Sequence, residues 1–110
     1  MSKSRLTLGV ILLSLVACLG VTLRPITPDH VKWASTQWAD MDQKTLEDAR
    51  TLYVNRCSGC HNLYLPGKLT LEKWDVMLSS MAPRAKLTLD QRELIWRYIV
   101  TEKAVPESKP

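Results

Sequence analysis

The chain has 110 residues, with 15 Lys+Arg against 11 Asp+Glu and a formal charge of +4. So short a chain excludes a multidomain enzyme and any large active-site architecture. Lys3 and Arg5 account for part of the excess charge; beyond residue 17, 13 basic groups face 11 acidic ones, too even a balance for a nucleic-acid footprint.

Residues 6–23 (LTLGVILLSLVACLGVTL) carry no charge and follow Lys3 and Arg5. A basic stretch before an apolar run is the layout of an export signal. As a helix the run would be about 27 Å long, close to a bilayer core, so an uncleaved anchor is the other reading. Leu15-Val16-Ala17-Cys18 resembles a bacterial lipobox, which makes Cys18 a candidate for lipid attachment. Against that, apolar residues continue to Leu23, and Cys18 also suits a membrane helix as a small apolar residue. Residues 1–23 are therefore expected to be an export signal or membrane anchor. Either reading puts the rest of the chain on the exported side of a membrane, facing the periplasm or the cell exterior.

Residues 24–44 hold Pro25, Pro28 and scattered polar groups. The prolines are expected to stop any helix arriving from the membrane, which makes this stretch a linker. Trp33 and Trp38 within it need a surface: lipid, the body of the domain or a partner. His30 and Met41 lie in the same stretch and are weak candidates as metal ligands.

The main domain is expected over residues 45–104, with a tail at 105–110. Thr45 followed by Glu47 and Asp48 suits a helix start, and Leu46, Ala49, Leu52 and Tyr53 recur at helical spacing to about residue 55. The next helix is predicted to start at Thr70-Leu71, to carry Leu71, Trp74, Met77, Leu78 and Met81 as apolar positions, and to end before Pro83. Thr88-Leu89-Asp90-Gln91 is a capping-box form. It opens a helix over about 89–102, with Leu94, Ile95, Tyr98 and Ile99 on one stripe. The whole is an all-α bundle of three to four helices.

Between the first two of these helices stands Cys57-Ser58-Gly59-Cys60-His61. C-x-x-C-H is the attachment signature of c-type haem. Two thiols three residues apart lie on the same side of one helical turn and can add to two vinyl groups on one haem edge. The adjoining His61 can then turn beneath the ring to bind iron. A redox dithiol usually opens a helix after a strand, and no strand pattern precedes this motif. A zinc site lacks its second ligand pair. A plain disulfide is the third alternative. The export signal independently favours haem, since covalent attachment takes place on the exported side of bacterial membranes. The three cysteines, an odd number, also argue against a framework of paired disulfides.

On these residues the chain resembles the class I c-type cytochromes over roughly residues 45–102. That family has a small residue eight positions, and an aromatic four positions, before the first Cys; here these are Ala49 and Tyr53. Its last helix carries an aliphatic residue and then an aromatic three positions later, here Ile95 and Tyr98. Its distal Met lies about 17 residues before that aromatic, and Met81 is 17 before Tyr98. The chain departs from the pattern in having Ala49 where the family usually has Gly, and in its short step from His61 to Met81. Pro66 is near for the family's Pro that accepts from the imidazole.

The resemblance implies one haem c bound covalently through Cys57 and Cys60, with His61 and Met81 as axial ligands. Met77 is the second choice for the distal position, with Met41 and His30 behind it. Trp74 and Tyr64 are expected to wall the haem or to pack the core, and Trp96 is a candidate docking contact. The fold implied is a small cytochrome c-like bundle of three to four helices around the haem, preceded by the membrane segment. The core over residues 46–103 is too small to be secure without that disc to pack on. The function implied is a membrane-anchored monohaem electron carrier, not an enzyme, that passes single electrons. Its redox partners would be a quinol-oxidising complex or dehydrogenase on one side and a terminal oxidase or reductase on the other. The alternative is a haem-based gas sensor or small peroxidase-like enzyme with a labile distal ligand.

Overall fold

A computed structural model of the chain describes residues 23–58 and 63–107. Four helices make up these residues: α1 (Pro28–Gln37), α2 (Gln43–Cys57), α3 (Leu71–Met81) and α4 (Leu89–Ala104). A short 3₁₀ turn, Pro66–Lys68, precedes α3, and the described residues contain no strand. None of these helices is long and apolar enough to cross a membrane. The expected anchor, including Cys18, falls almost wholly in residues 1–22, outside the described residues.

The stretch 24–44 differs from the expected linker, since it contains α1. Pro28 is the first helical residue rather than a stop signal: its missing N–H and fixed φ suit the first turn of a helix. The Thr27 N–H donates to His30 Nδ1 at 3.0 Å, fixing the helix entry. His30 and Ala34 face inward, and α1 packs on α4 and α2. Trp33 and Trp38 rest on the domain itself. Their rings meet edge to face at 6.1 Å, both pack against the buried cluster of Ala34, Met41 and Leu46, and the Arg97 guanidinium lies 5.3 Å from the Trp38 ring centre.

The other three helices follow their caps. Asp42 accepts from the Thr45 N–H at 2.8 Å, so α2 begins slightly ahead of the expected Thr45 start. Thr70 caps α3 by accepting from Lys73 N–H. Thr88 and Gln91 form the reciprocal pair at 3.1 and 3.0 Å that opens α4. Buried Ala49, Tyr53, Ile95 and Tyr98 share one core with Trp74, Leu78, Ile99 and Leu23, and α2 and α4 make the most extensive contact in the molecule. The Tyr53 ring stands 5.7 Å from Tyr98 and 6.0 Å from Trp74, so three aromatic rings join α2, α3 and α4. Trp96 is half-buried against this core. Arg92 ties α4 to α3 through Asp75 Oδ1 at 2.6 Å and Ser79 Oγ at 2.8 Å.

The two ends of the described body meet. Leu23 is buried, and its carbonyl accepts from Arg50 at 2.9 Å. Arg24 Nε donates to Glu102 Oε2 at 2.7 Å, while Nη2 donates to the Glu102 and Val105 carbonyls at 2.7 and 2.6 Å. Val105, the first residue of the expected tail, is itself buried.

Candidate functional site

The end of α2, the inner side of α3 and the turn after α3 enclose an apolar cleft. Tyr53, Tyr64, Trp74, Met77, Leu78, Met81 and Leu87 form its walls, and Arg56, Cys57, Arg84 and Ala85 complete the lining. These walls bound about 530 Å³, the open mouth included, a size typical of ligand pockets.

Each wall is held by an interaction that the local sequence arranges. Trp74 lies four positions before Leu78 and eleven before Ala85, and its indole N–H donates to the Pro66 carbonyl at 2.8 Å. That bond engages the carbonyl expected to serve the imidazole, and it fastens the 3₁₀ turn to α3. The Tyr53 hydroxyl donates to the Tyr64 carbonyl, drawing the loop after the C-x-x-C-H motif against α2. Burial raises the Tyr53 and Tyr98 hydroxyl pKa values above the ordinary tyrosine range, so both stay protonated and neutral inside the core.

Cys57 is the last residue of α2 and lines the cleft as a free thiol. Burial pushes that thiol up to about 11. An activated redox dithiol has the opposite character, a depressed pKa that exposes a thiolate. Among the described residues no group of three or more His, Cys, Asp or Glu converges as a metal cluster would. Cys60 and His61 lie outside the described residues, as does Cys18.

The candidates for the distal position separate clearly. Met81, the last residue of α3, lines the same cleft as Cys57, and so does Met77 one turn earlier. Met41 is buried in the cluster between α1 and α2, away from the cleft. His30 is buried with Nδ1 engaged by Thr27 and Nε2 3.0 Å from Glu102 Oε1. Both expected wall residues, Trp74 and Tyr64, do line the cleft.

Sequence reasoning missed Arg56 and Arg84. Arg56 immediately precedes the motif, and Arg84 comes after Pro83, the residue that stops α3. Their placement in one lining comes from the fold rather than from any spacing.

The donor set fits a covalent haem. A flat apolar ring needs apolar and aromatic walls, a thiol at its edge and a soft sulfur able to reach iron. The cleft offers the walls, Cys57 and Met81. A family model described as dihaem cytochrome c matches residues 53–109, a span that begins at Tyr53 and contains the C-x-x-C-H motif. No curated protein and no solved structure matches the chain.

Proposed function

The chain belongs to the dihaem cytochrome c family, and from that premise we propose that it carries a single haem c and moves single electrons at a membrane surface. The family's c-type domain accounts for haem, iron and electron transfer. One haem rather than two is our reading, because these 110 residues contain C-x-x-C-H once, at 57–61. The attachment is through Cys57 and Cys60, with His61 and Met81 as axial ligands in the manner of class I cytochromes.

The observation that carries this reading is the meeting of Cys57 and Met81 on one apolar cleft. When bound, the haem supplies a one-electron change between ferric and ferrous iron. The chain's own residues decide the rest. Met81 brings a soft thioether that favours the ferrous state and closes the axial position to substrate. Tyr53, Trp74, Leu78 and Leu87 keep water from the ring and lower the local dielectric, which disfavours the extra charge of ferric iron. No carboxylate or imidazole stands in the described lining, so it holds no general acid or base for bond chemistry.

We further read residues 1–23 as the device that holds the domain at the exported face of a membrane, through acylated Cys18 or as an uncleaved helix. There it would exchange electrons with a quinol-oxidising complex or dehydrogenase and with a terminal oxidase or reductase. The test is expression with a haem-attachment apparatus, then mass spectrometry and optical spectra. One haem-sized addition and an unaltered spectrum when carbon monoxide meets the reduced protein are expected. Colourless protein with both motif thiols alkylatable overturns the reading, and an immediate change with carbon monoxide moves it to a gas-binding protein. The same mass spectrum reads the anchor: loss of residues 1–17 with acyl chains on Cys18 establishes the lipoprotein.

A further inference from the structure

Arg56 and Arg84 are the charged residues in the cleft lining, and no acid accompanies them. Arg56 lies in the last turn of α2, where its Nη1 donates to the Ala85 carbonyl at 3.3 Å. That contact spans from α2 to the turn after α3, which carries Arg84. The turn is well defined: the Ala85 N–H donates to the Met81 carbonyl at 2.8 Å and the Leu87 N–H to the Ala82 carbonyl at 2.9 Å. Lys86 adopts a left-handed φ of 55° to complete it.

Elsewhere the chain gives its arginines counter-ions. Arg24, Arg92 and Arg97 each meet a carboxylate within 3.0 Å. Arg56 and Arg84 meet none among the described residues, although both border an apolar space where an uncompensated charge is disfavoured. A guanidinium is a planar fork that matches a carboxylate with two parallel hydrogen bonds. Apolar walls combined with two unneutralised forks select a ligand with an apolar body and anionic carboxylate arms.

We propose that Arg56 and Arg84 form the carboxylate-binding end of the cleft and hold the propionates of the haem. The inference rests on reading the cleft as the haem site. It adds a functional consequence for two residues outside the attachment motif. Fixed cations beside the iron favour the ferrous over the more positive ferric ion, so the pair raises the reduction potential.

The test uses the full-length, haem-loaded protein and its midpoint potential, measured by spectroelectrochemical titration without any partner. R84Q is the primary variant, because Arg84 makes no hydrogen bond or ion pair among the described residues whose loss would disturb the fold. R84Q is expected to lower the potential, R56Q/R84Q to lower it further, and R84K to restore most of the loss. An unchanged potential in the double variant, with haem attached and the optical spectrum unaltered, overturns the proposal while leaving the haem site intact. A drop in melting temperature with no change in potential assigns the arginines a packing role and overturns it as well. If these arginines instead served an acidic protein partner, the potential of the isolated protein would not move. Wild-type protein that acquires no haem removes the reading of the cleft, and this proposal with it.

Discussion

His30 Nε2 lies 3.0 Å from Glu102 Oε1, joining the first turn of α1 to the last turn of α4 in the interior. The backbone N–H of Thr27 donates to Nδ1, so the neutral ring keeps its proton on Nε2, facing the carboxylate. Burial is the largest influence on His30 and lowers its pKa below the ordinary 6.5; Glu102 and Asp29 oppose that shift, and Arg24 adds to it. Above 6.5 both the folded and the unfolded chain hold a neutral ring. As the pH falls through 6.5 the unfolded chain takes up the proton first, so stability is lost toward the lower folded value. Denaturation midpoints measured from about pH 8 to about pH 5 are expected to fall on the acid side. His30→Gln should flatten that slope, and an equal slope in the variant would assign the acid sensitivity to other groups.

Glu102 serves His30 and Arg24 together, and its side chain is 6% exposed while that of Arg24 is 25% exposed. Glu102→Ala leaves a buried imidazole and a guanidinium without their acceptor. The expected cost is about 2 to 3 kcal/mol, below that for a fully buried pair because Arg24 is partly open to water. Urea denaturation measures it, and α1 is expected to lose amide protection before α2.

Ala49 is fully buried where α2 packs against α4, in one core with Ile95 and Tyr98. Ala49→Leu would force the two helices apart. Overpacking of this kind costs about 1 to 3 kcal/mol. A lowered melting temperature is expected, with haem still attached, since Cys57 lies two turns further along α2.

Met81→Ala is expected to lower the midpoint potential and to admit carbon monoxide to the reduced protein. The thioether favours ferrous iron, and its removal frees an axial position. An unchanged potential would transfer the role to Met77, the other methionine in the cleft lining.

The cleft walls are themselves the central core residues, Tyr53, Trp74 and Leu78 among them. Protein prepared without haem would leave that core open along one side. A largely unfolded chain is expected by circular dichroism, because a domain this small has little apolar area to spare. Near-native helicity in haem-free protein would contradict this.

The parts of the fold that the sequence made legible are those governed by local rules. Thr88 and Gln91 cap α4 as their spacing predicted, Thr70 caps α3, and Ala49, Tyr53, Ile95 and Tyr98 meet in one core. Helix α1 was hidden because its polar-looking inner face depends on a distant residue: His30 is tolerable inside only because Glu102 waits at the far end of the chain. Pro28 compounded this, since a proline that begins a helix and one that ends a helix look alike when tertiary packing is unknown. In the site, Cys57 and Met81 were readable from a motif and a spacing. Arg56 and Arg84 were not, because a helix end and a turn are brought together by tertiary packing alone.

Arg24 grips Glu102 and Val105 at the point where the described chain begins. Any tug arriving along the preceding residues is therefore spent first on α4 and its exit, at the pole where both termini emerge. The cleft on α2 and α3 is insulated from that strain, so the domain can swing on its mooring without disturbing the iron's surroundings.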